Sequence, residues 1–387
     1  MEKKILLKPR FEGWSVHSLY NEIIENPPKG YTIEFKKPNI QSKIYNIDNK
    51  STNPLLKEMI YHLKPIPYIV SQKLQKKYYS NYDLIYASQH IVFNNDSPWI
   101  SDFEFVNAYA GFGNINLIKN TIRKQFESKN CKFILPWSEW AKKTLFTSID
   151  CSKFEEKIKI LRYTVNPKKI ERKKHESVNF LFIGSTNPMN IKNIHYKGVN
   201  EIISAFNQIS KKYDNISLTI RAKLPENIKQ NTSKNNKINV IDSFLNKNEL
   251  YQLYQNADVF VFPAHETSGI ALLDAMSFEL PVIAMNLYDI PEVVSHMENG
   301  LLIQPHKDSH YYTKNHTPND HSWKFMNGIR KHFKFTVDQI KEYFIKMIEE
   351  PELRKKLGYE ARKKIENELS IDKRNALLKE IFEEATR

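Results

Sequence analysis

The chain is poor in cysteine, with two, Cys131 and Cys151, in 387 residues. That leaves no disulfide framework and agrees with a reducing compartment. The pair also lacks the spacing of a metal-ligand motif. No apolar run approaches the roughly 18 residues that a membrane-spanning helix needs. The opening MEKKILLKPR has too short an apolar core before Arg10 for a secretory leader. These absences predict a cytoplasmic protein. No internal repeat and no RNA- or DNA-binding motif is present, so nucleic acid is not an expected partner.

Acidic residues are scarce in one half only. Residues 1–175 hold 30 Lys and Arg against 17 Asp and Glu, an excess of 13, whereas 176–387 hold 28 against 27, an excess of 1. A basic half suits nucleic acid, an acidic ligand or the anionic face of a membrane, and equally a solvated lysine-rich surface. Hydrophobic content is 41 %, enough for one large domain or two.

Short apolar runs alternate with helical periods along the second half. VNFLFIGS (178–185) reads as a strand buried on both faces, and ISLTIRA (216–222), KINVIDSF (237–244), DVFVFPA (258–264), LPVIAMN (280–286) and NGLLIQP (299–305) read as further strands. Between them, 197–213 sets Ile202, Ile203, Phe206 and Ile209 on one helical face, and 246–257 reads as a further helix. This alternation predicts an α/β fold with parallel sheets. The first half repeats it less cleanly, with strands expected at KKILLKP, YTIEF (31–35), DLIYAS (83–88), CKFILP (131–136) and KIKILRYTV (157–165). Helices are expected over 114–130 and 138–146, the latter capped by Ser138. The polar stretch 166–177 reads as a linker. After residue 304 comes a polar, His-rich insertion with His306, His310, His316 and His321, then helices to the end. The histidines are irregularly spaced, and the segment suits a loop shaping an acceptor cleft better than a metal site.

The most informative segment is HETSGIALLDAM (265–276), between a strand and a helix. In open parallel sheets ligands bind beyond the carboxyl ends of the strands. Glu266 lies in that loop, Gly269 permits close backbone approach, and the amides of the following helix start suit an anion. Asp274 lies about a turn and a half into that helix and can face the same cleft. The series matches the hydroxyls, diphosphate and ribose of a nucleotide-sugar. Carboxylates also suit any helix start on dipole grounds alone.

The run 262–305, FPAHETSGIALLDAMSFELPVIAMNLYDIPEVVSHMENGLLIQP, resembles the signature of retaining GT-B glycosyltransferases of glycosyltransferase family 4, the glycosyl transferases group 1. FLFIGS and YKGVNEIISAF resemble the same family's phosphate-side elements, and the likeness extends over about 178–380. The resemblance implies two Rossmann-like domains facing across a cleft. It places an acceptor-side domain at 1–170, a donor domain at 171–370, and a last helix, 371–387, returning to the first. It implies a hexosyltransferase-type enzyme that uses a nucleotide-sugar donor and a glycan or lipid-linked hydroxyl acceptor. No metal cofactor is required, and contact with an anionic membrane is possible.

By that resemblance Glu266 takes donor-sugar hydroxyls and the amides of Thr267, Ser268, Gly269 and Ile270 hold phosphate or sugar. Asp274 stands where the family has a ribose-binding glutamate, and Lys197 matches a diphosphate-binding lysine. Ser185 replaces the usual arginine, so its charge would come from Lys192 or Arg221. Gly13 can approach phosphate across the cleft or be a turn glycine. Asp102 and Glu104, or His90, stand in for a histidine near the reacting carbon, and Trp99, Phe103 and Tyr109 can stack on a sugar or fill a core. The other readings are a nucleotide-sugar hydrolase, epimerase or phosphorylase, and a degenerate GT-B protein that binds without turnover.

Overall fold

The computed structural model describes residues 2–8, 18–35, 54–74, 81–93, 96–171, 176–185 and 194–387. The chain forms two compact units. One comprises Met1–Thr164, Tyr312–Trp323 and Ile371–Arg387, the other Val165–Tyr311 and Lys324–Ser370. The sequence-based boundary fell at 170/171; the first unit also takes in residues 312–323, from the His-rich insertion, along with the last helix.

The first unit runs β1 (Lys3–Lys8), α1 (Ser18–Glu25), β2 (Tyr31–Phe35), α2 (Pro54–Leu63), α3 (Pro65–Lys73), β3 (Leu84–Ser88), β4 (Trp99–Phe103), α4 (Lys119–Glu127), β5 (Cys131–Pro136) and α5 (Glu139–Ser148). Its strands form a parallel sheet in the order β2-β1-β3-β4-β5. Every residue of β3 and β4 is buried, as strands covered on both faces must be. Ser138 caps α5 as expected, its hydroxyl accepting from the Ala141 amide at 2.9 Å.

One reading of the first half is corrected and one open choice is resolved. KIKILRYTV forms no strand; only Ile158 bridges, to Ile134. Trp99, Phe103 and Tyr109 are core residues, at most 2 % exposed, with Tyr109 set 5.2 Å from both Phe103 and Phe126, ring centre to ring centre. They present no face to a sugar. Both cysteines are free and buried, their thiols pushed up by burial, Cys131 beyond the usual range and Cys151 to about 12.

The second unit continues with β6 (Val178–Ile183), α6 (Val199–Ile209), β7 (Ile216–Arg221), α7 (Glu226–Thr232), β8 (Ile238–Ile241), α8 (Lys247–Gln255), β9 (Val259–Phe262), α9 (Ile270–Ser277), β10 (Val282–Met285), α10 (Ile290–Val293), β11 (Gly300–Ile303), α11 (Trp323–Lys331), α12 (Phe333–Glu349) and α13 (Pro351–Glu368). The closing helix α14 (Ile371–Ala385) belongs to the first unit. The second sheet, also parallel, has the order β11-β10-β9-β6-β7-β8. Phe180 on β6, Phe206 on α6 and Phe344 on α12 pack their rings together in its core.

Inside the first unit, Asp102 of β4 is 1 % exposed. Its carboxylate accepts from the hydroxyls of Tyr20 (2.9 Å) and Tyr86 (3.0 Å) and from the Gln89 amide (3.0 Å). Burial outweighs these bonds and raises its pKa from 3.8 to about 6. Between those values the folded protein keeps a proton that the unfolded chain has lost. Stability therefore falls as pH rises from about 4 to about 6, by on the order of 3 kcal/mol. Denaturant unfolding across that range will show the fall in wild type, and Asp102→Asn will lack that component. An identical pH profile in both proteins contradicts this account.

Gly358, within α13, tests packing against helix propensity. A Cβ there would press into the Glu279 carbonyl oxygen and lie 3.1 Å from Pro281. Gly358→Ala gains about 1 kcal/mol of propensity but forces α13 off α9 and β10, at roughly 1–3 kcal/mol. A lowered thermal midpoint is expected; a raised one would mean the helix shifts freely.

Candidate active site

Strands β9, β6 and β7 are neighbours in the second sheet, so the loops at their carboxyl ends share one edge. Most of the residues picked out in the second half's sequence lie on that edge.

The turn into α6 places Lys197. Gly198 adopts φ +73°, and a Cβ there would collide with the carbonyl oxygen of Pro263, at the end of β9. Glycine thus serves both backbone shape and close approach. The His265 amide donates to the Tyr196 carbonyl at 2.7 Å, tying the two loops together again. Across this junction the Lys197 ammonium pairs with the Glu266 carboxylate, both side chains about one-third exposed.

His265, next in chain to Glu266, faces the other way. It is 3 % exposed, with Nδ1 2.9 Å from the Tyr311 hydroxyl and Nε2 3.6 Å from a carboxylate oxygen of Glu201, itself buried in the first turn of α6. Anchoring His265 inward leaves Glu266 turned towards solvent. Neither His265 nor Glu201 was picked out from sequence, although the clue was available: a histidine beside the loop glutamate, and a glutamate one turn after Lys197.

The amides after Glu266 are not all open. The Ser268 amide donates to Asp289 Oδ1 at 2.8 Å, and its hydroxyl bonds to the other oxygen of the same carboxylate. Asp289 is buried, which raises its pKa against the lowering effect of Ser268. Ser268 therefore fixes the loop, correcting its expected place among the bare amides. Helix α9 starts at Ile270, with Gly269 as its cap residue. Gly269 has φ −137°, a backbone that any residue adopts, and a Cβ there would meet nothing within 4 Å. Neither strain nor packing within the fold calls for glycine at this position.

Further along the edge, Arg221 ends β7 and donates to the Gly184 carbonyl at 3.0 Å, directly before Ser185. Burial lowers its pKa, opposed by the nearby Tyr254 phenol. Asp274 is 9 % exposed and sits near Tyr254, whose own pKa is raised by burial first and by Asp274 second. Thr267, on the loop, and Ile270, at the start of α9, are half-buried.

In the first unit the candidates are differently placed. Both oxygens of Asp102 are engaged by Tyr20, Tyr86 and Gln89, so it holds the sheet rather than facing a reactant. Glu104 is half-buried just past β4, and His90 is fully buried with Nδ1 3.1 Å from the Ser88 carbonyl. Gly13 and Lys192 lie outside the described residues.

The insertion histidines do not converge on one point. His321 stacks on Tyr61, and burial lowers its pKa to about 4. The His316 carbonyl accepts from Trp140 Nε1 at 3.2 Å. His306 joins Asp308 and His332 in a group whose ligand atoms lie within 4.8 Å. Its two imidazoles stack in parallel, centroids 3.5 Å apart, so their in-plane lone pairs do not meet at one ion.

Residues 168–314 match the family Glycosyl transferases group 1. The chain is 25 % identical over 225 residues to the capsular polysaccharide biosynthesis glycosyltransferase CapM of Staphylococcus aureus, covering 55 % of this chain and 49 % of that protein. It is 27 % identical over 179 residues to an uncharacterized glycosyltransferase of Methanocaldococcus jannaschii, covering 40 % and 44 %. The chain thus spans about half the length, or less, of these curated relatives. Similar solved structures include a glycosyltransferase of Rickettsia africae, with TM-score 0.59, 15 % identity, and 100 % and 99 % of the two chains covered. Another is Anabaena HepE in complex with UDP and glucose, with TM-score 0.60, 12 % identity, and coverage of 99 % and 100 %. At these identities the likeness is one of fold. The segment 168–314 carries a Glycosyl transferases group 1 domain, and the two parallel sheets follow the GT-B fold.

Proposed function

We propose that the chain is a retaining glycosyltransferase of family 4 that moves a hexose from a nucleoside-diphosphate sugar to a hydroxyl acceptor, a glycan or a lipid-linked saccharide. The observation that carries this reading is the Lys197–Glu266 pair at the carboxyl edge of the second sheet, beside a glycine that the fold itself does not require. Lys197 is the cation for the diphosphate and Glu266 the acceptor for sugar hydroxyls. In the structure each meets the other, so neither charge is left unbalanced. A donor supplies hydroxyls to one and phosphate to the other. Anabaena HepE, known in complexes with UDP and with UDP-glucose, supports a nucleotide-sugar donor.

In the transfer, the bond from the anomeric carbon to the diphosphate oxygen breaks, and the acceptor oxygen bonds to that carbon on the same face. The acceptor proton passes to the departing phosphate. Lys197 and the amides at Gly269 and Ile270 meet the charge that develops on the leaving group, in place of a metal. Arg221 supplies the charge that Ser185 lacks, and Asp274 accepts from the ribose. A second reading, binding of donor without turnover, is favoured by Ser185 and by the burial of Asp274.

Release of nucleoside diphosphate in the presence of acceptor separates the two readings. Glu266→Ala is expected to lower transfer by on the order of 10²-fold, with the thermal midpoint unchanged. Gly269→Ala is expected to keep the wild-type midpoint, because its Cβ meets only open space, yet to slow transfer by crowding the donor. Full activity in Gly269→Ala, or turnover by Glu266→Ala at the wild-type rate, would overturn the assignment of that residue.

A further inference from the structure

The second unit holds a cavity of about 970 Å³ that shares no residue with the candidate active site. Its walls come from α6, from α7 and the turn leading into β8, and from the junction of α11 with α12. That turn, at 234–237, lies at the amino end of β8, whereas the candidate active site lies at the carboxyl ends of the strands.

The cavity carries charge of one sign. Lys211, Lys234, Lys237 and Arg330 line it, and none of the described residues that line it is acidic. Over residues 176–387 the charges nearly cancel, 28 basic against 27 acidic, so this is a local excess. Cations close by are paired: Lys212, next to Lys211, reaches Glu349 at 3.8 Å, and Lys229 of α7 pairs with Asp242. Lys237 is held as well, its ammonium donating to the Ser210 and Tyr213 carbonyls (3.0 and 2.8 Å) and to Asp214 (3.0 Å). Lys211, Lys234 and Arg330 are exposed and form no ion pair among the described residues. A cleft of one sign concentrates the opposite charge within it, and a guanidinium grips a carboxylate or phosphate through two parallel bonds.

The rest of the lining selects the kind of anion. Asn235 is engaged within the wall: its amide donates to Asn207 Oδ1 at 2.8 Å and to Ser210 Oγ at 2.9 Å, and its Oδ1 accepts from the Lys237 amide at 3.1 Å. These bonds fix the turn before β8 against α6. Asn200, Asn231 and Asn236 keep their side-chain amides uncommitted among the described residues. Each offers a donor and an acceptor side by side, which matches neighbouring hydroxyls on a sugar ring. Buried Ile203 and Ile228, with half-buried Phe333, supply apolar surface for the C–H face of such a ring. The volume is at the upper end of small-molecule sites and far exceeds one phosphate ion, so it suits a chain of several rings.

We propose that this cavity binds an acidic oligosaccharide, a chain of sugar residues that carries carboxylate or phosphate groups. This proposal goes beyond the sugar-transfer reading and does not depend on it. The test is calorimetric titration of the full chain with tetragalacturonate, with mannopentaose phosphate, with uncharged maltotetraose and with polyglutamate. At least one of the two acidic saccharides should bind wild type with Kd below about 1 mM and about ten-fold or more tighter than maltotetraose or polyglutamate. Its affinity should fall as salt rises. The preferred saccharide tells whether carboxylate or phosphate is read. Lys211→Glu with Arg330→Glu should weaken that binding by about ten-fold or more, while keeping the thermal midpoint and any shift induced by nucleoside diphosphate. Asn231→Ala with Asn236→Ala should weaken the saccharide and leave polyglutamate unchanged. Failure of both acidic saccharides to bind, equal binding of maltotetraose or polyglutamate, or unchanged affinity in the Lys211 and Arg330 variant would each overturn the proposal.

Discussion

The candidate site depends on one close approach between two loops. The Pro263 carbonyl lies where a side chain on residue 198 would be, and only glycine, at φ +73°, lets α6 begin there. That contact carries Lys197 to Glu266. It also sets Glu201, in the first turn of α6, beside His265. Buried hydrogen bonds then hold the loop on both sides: His265 to Tyr311, and Ser268 to Asp289. Such groups are costly unless they are paired, and pairing them fixes the loop in one geometry. Rigid support beneath and partly exposed charge above is the arrangement a binding site needs.

The first unit uses buried polar groups differently. Asp102 joins β4 to Tyr20 of the α1 region and Tyr86 of β3, with its charged form disfavoured by burial. Arg374 of α14 donates to the Asn26 carbonyl at 2.9 Å, and burial lowers its pKa to about 10. These groups brace the sheet and its helices from within. Among the described residues the outer face of α2 and α3 is exposed and apolar.

Much of the second unit was readable because its central strands are buried on both faces, so β9 and β10 appear as unbroken apolar runs and β6 as a nearly unbroken one. Glu266 was legible from its place between a strand and a helix and Lys197 from the resemblance of its segment to the family's, and the structure pairs them directly. What could not be read was the cost of polar burial. Asp289, Glu201 and His265 look like ordinary loop or helix residues in the sequence, and their roles emerge only when distant segments meet. Ser268 looked like an open amide for the same reason. In the first half, Pro54, Pro65 and Pro67 masked two helices, because proline is favourable only at a helix start and that start is not visible from composition. KIKILRYTV had the apolar content of a strand, but it meets β5 only through an isolated bridge at Ile158 and the Lys159 and Leu161 amides, without forming a ladder.

The most direct measurement is calorimetric titration of UDP and UDP-glucose, with the guanosine, adenosine and thymidine counterparts, into wild type, Lys197→Ala and Glu266→Ala. The account predicts that one nucleotide series binds wild type, with the sugar adding affinity. Lys197→Ala should weaken nucleotide and nucleotide-sugar alike. Glu266→Ala should remove only the increment due to the sugar. Absence of binding by every nucleoside diphosphate and its sugar, or equal binding by all three proteins, would contradict it.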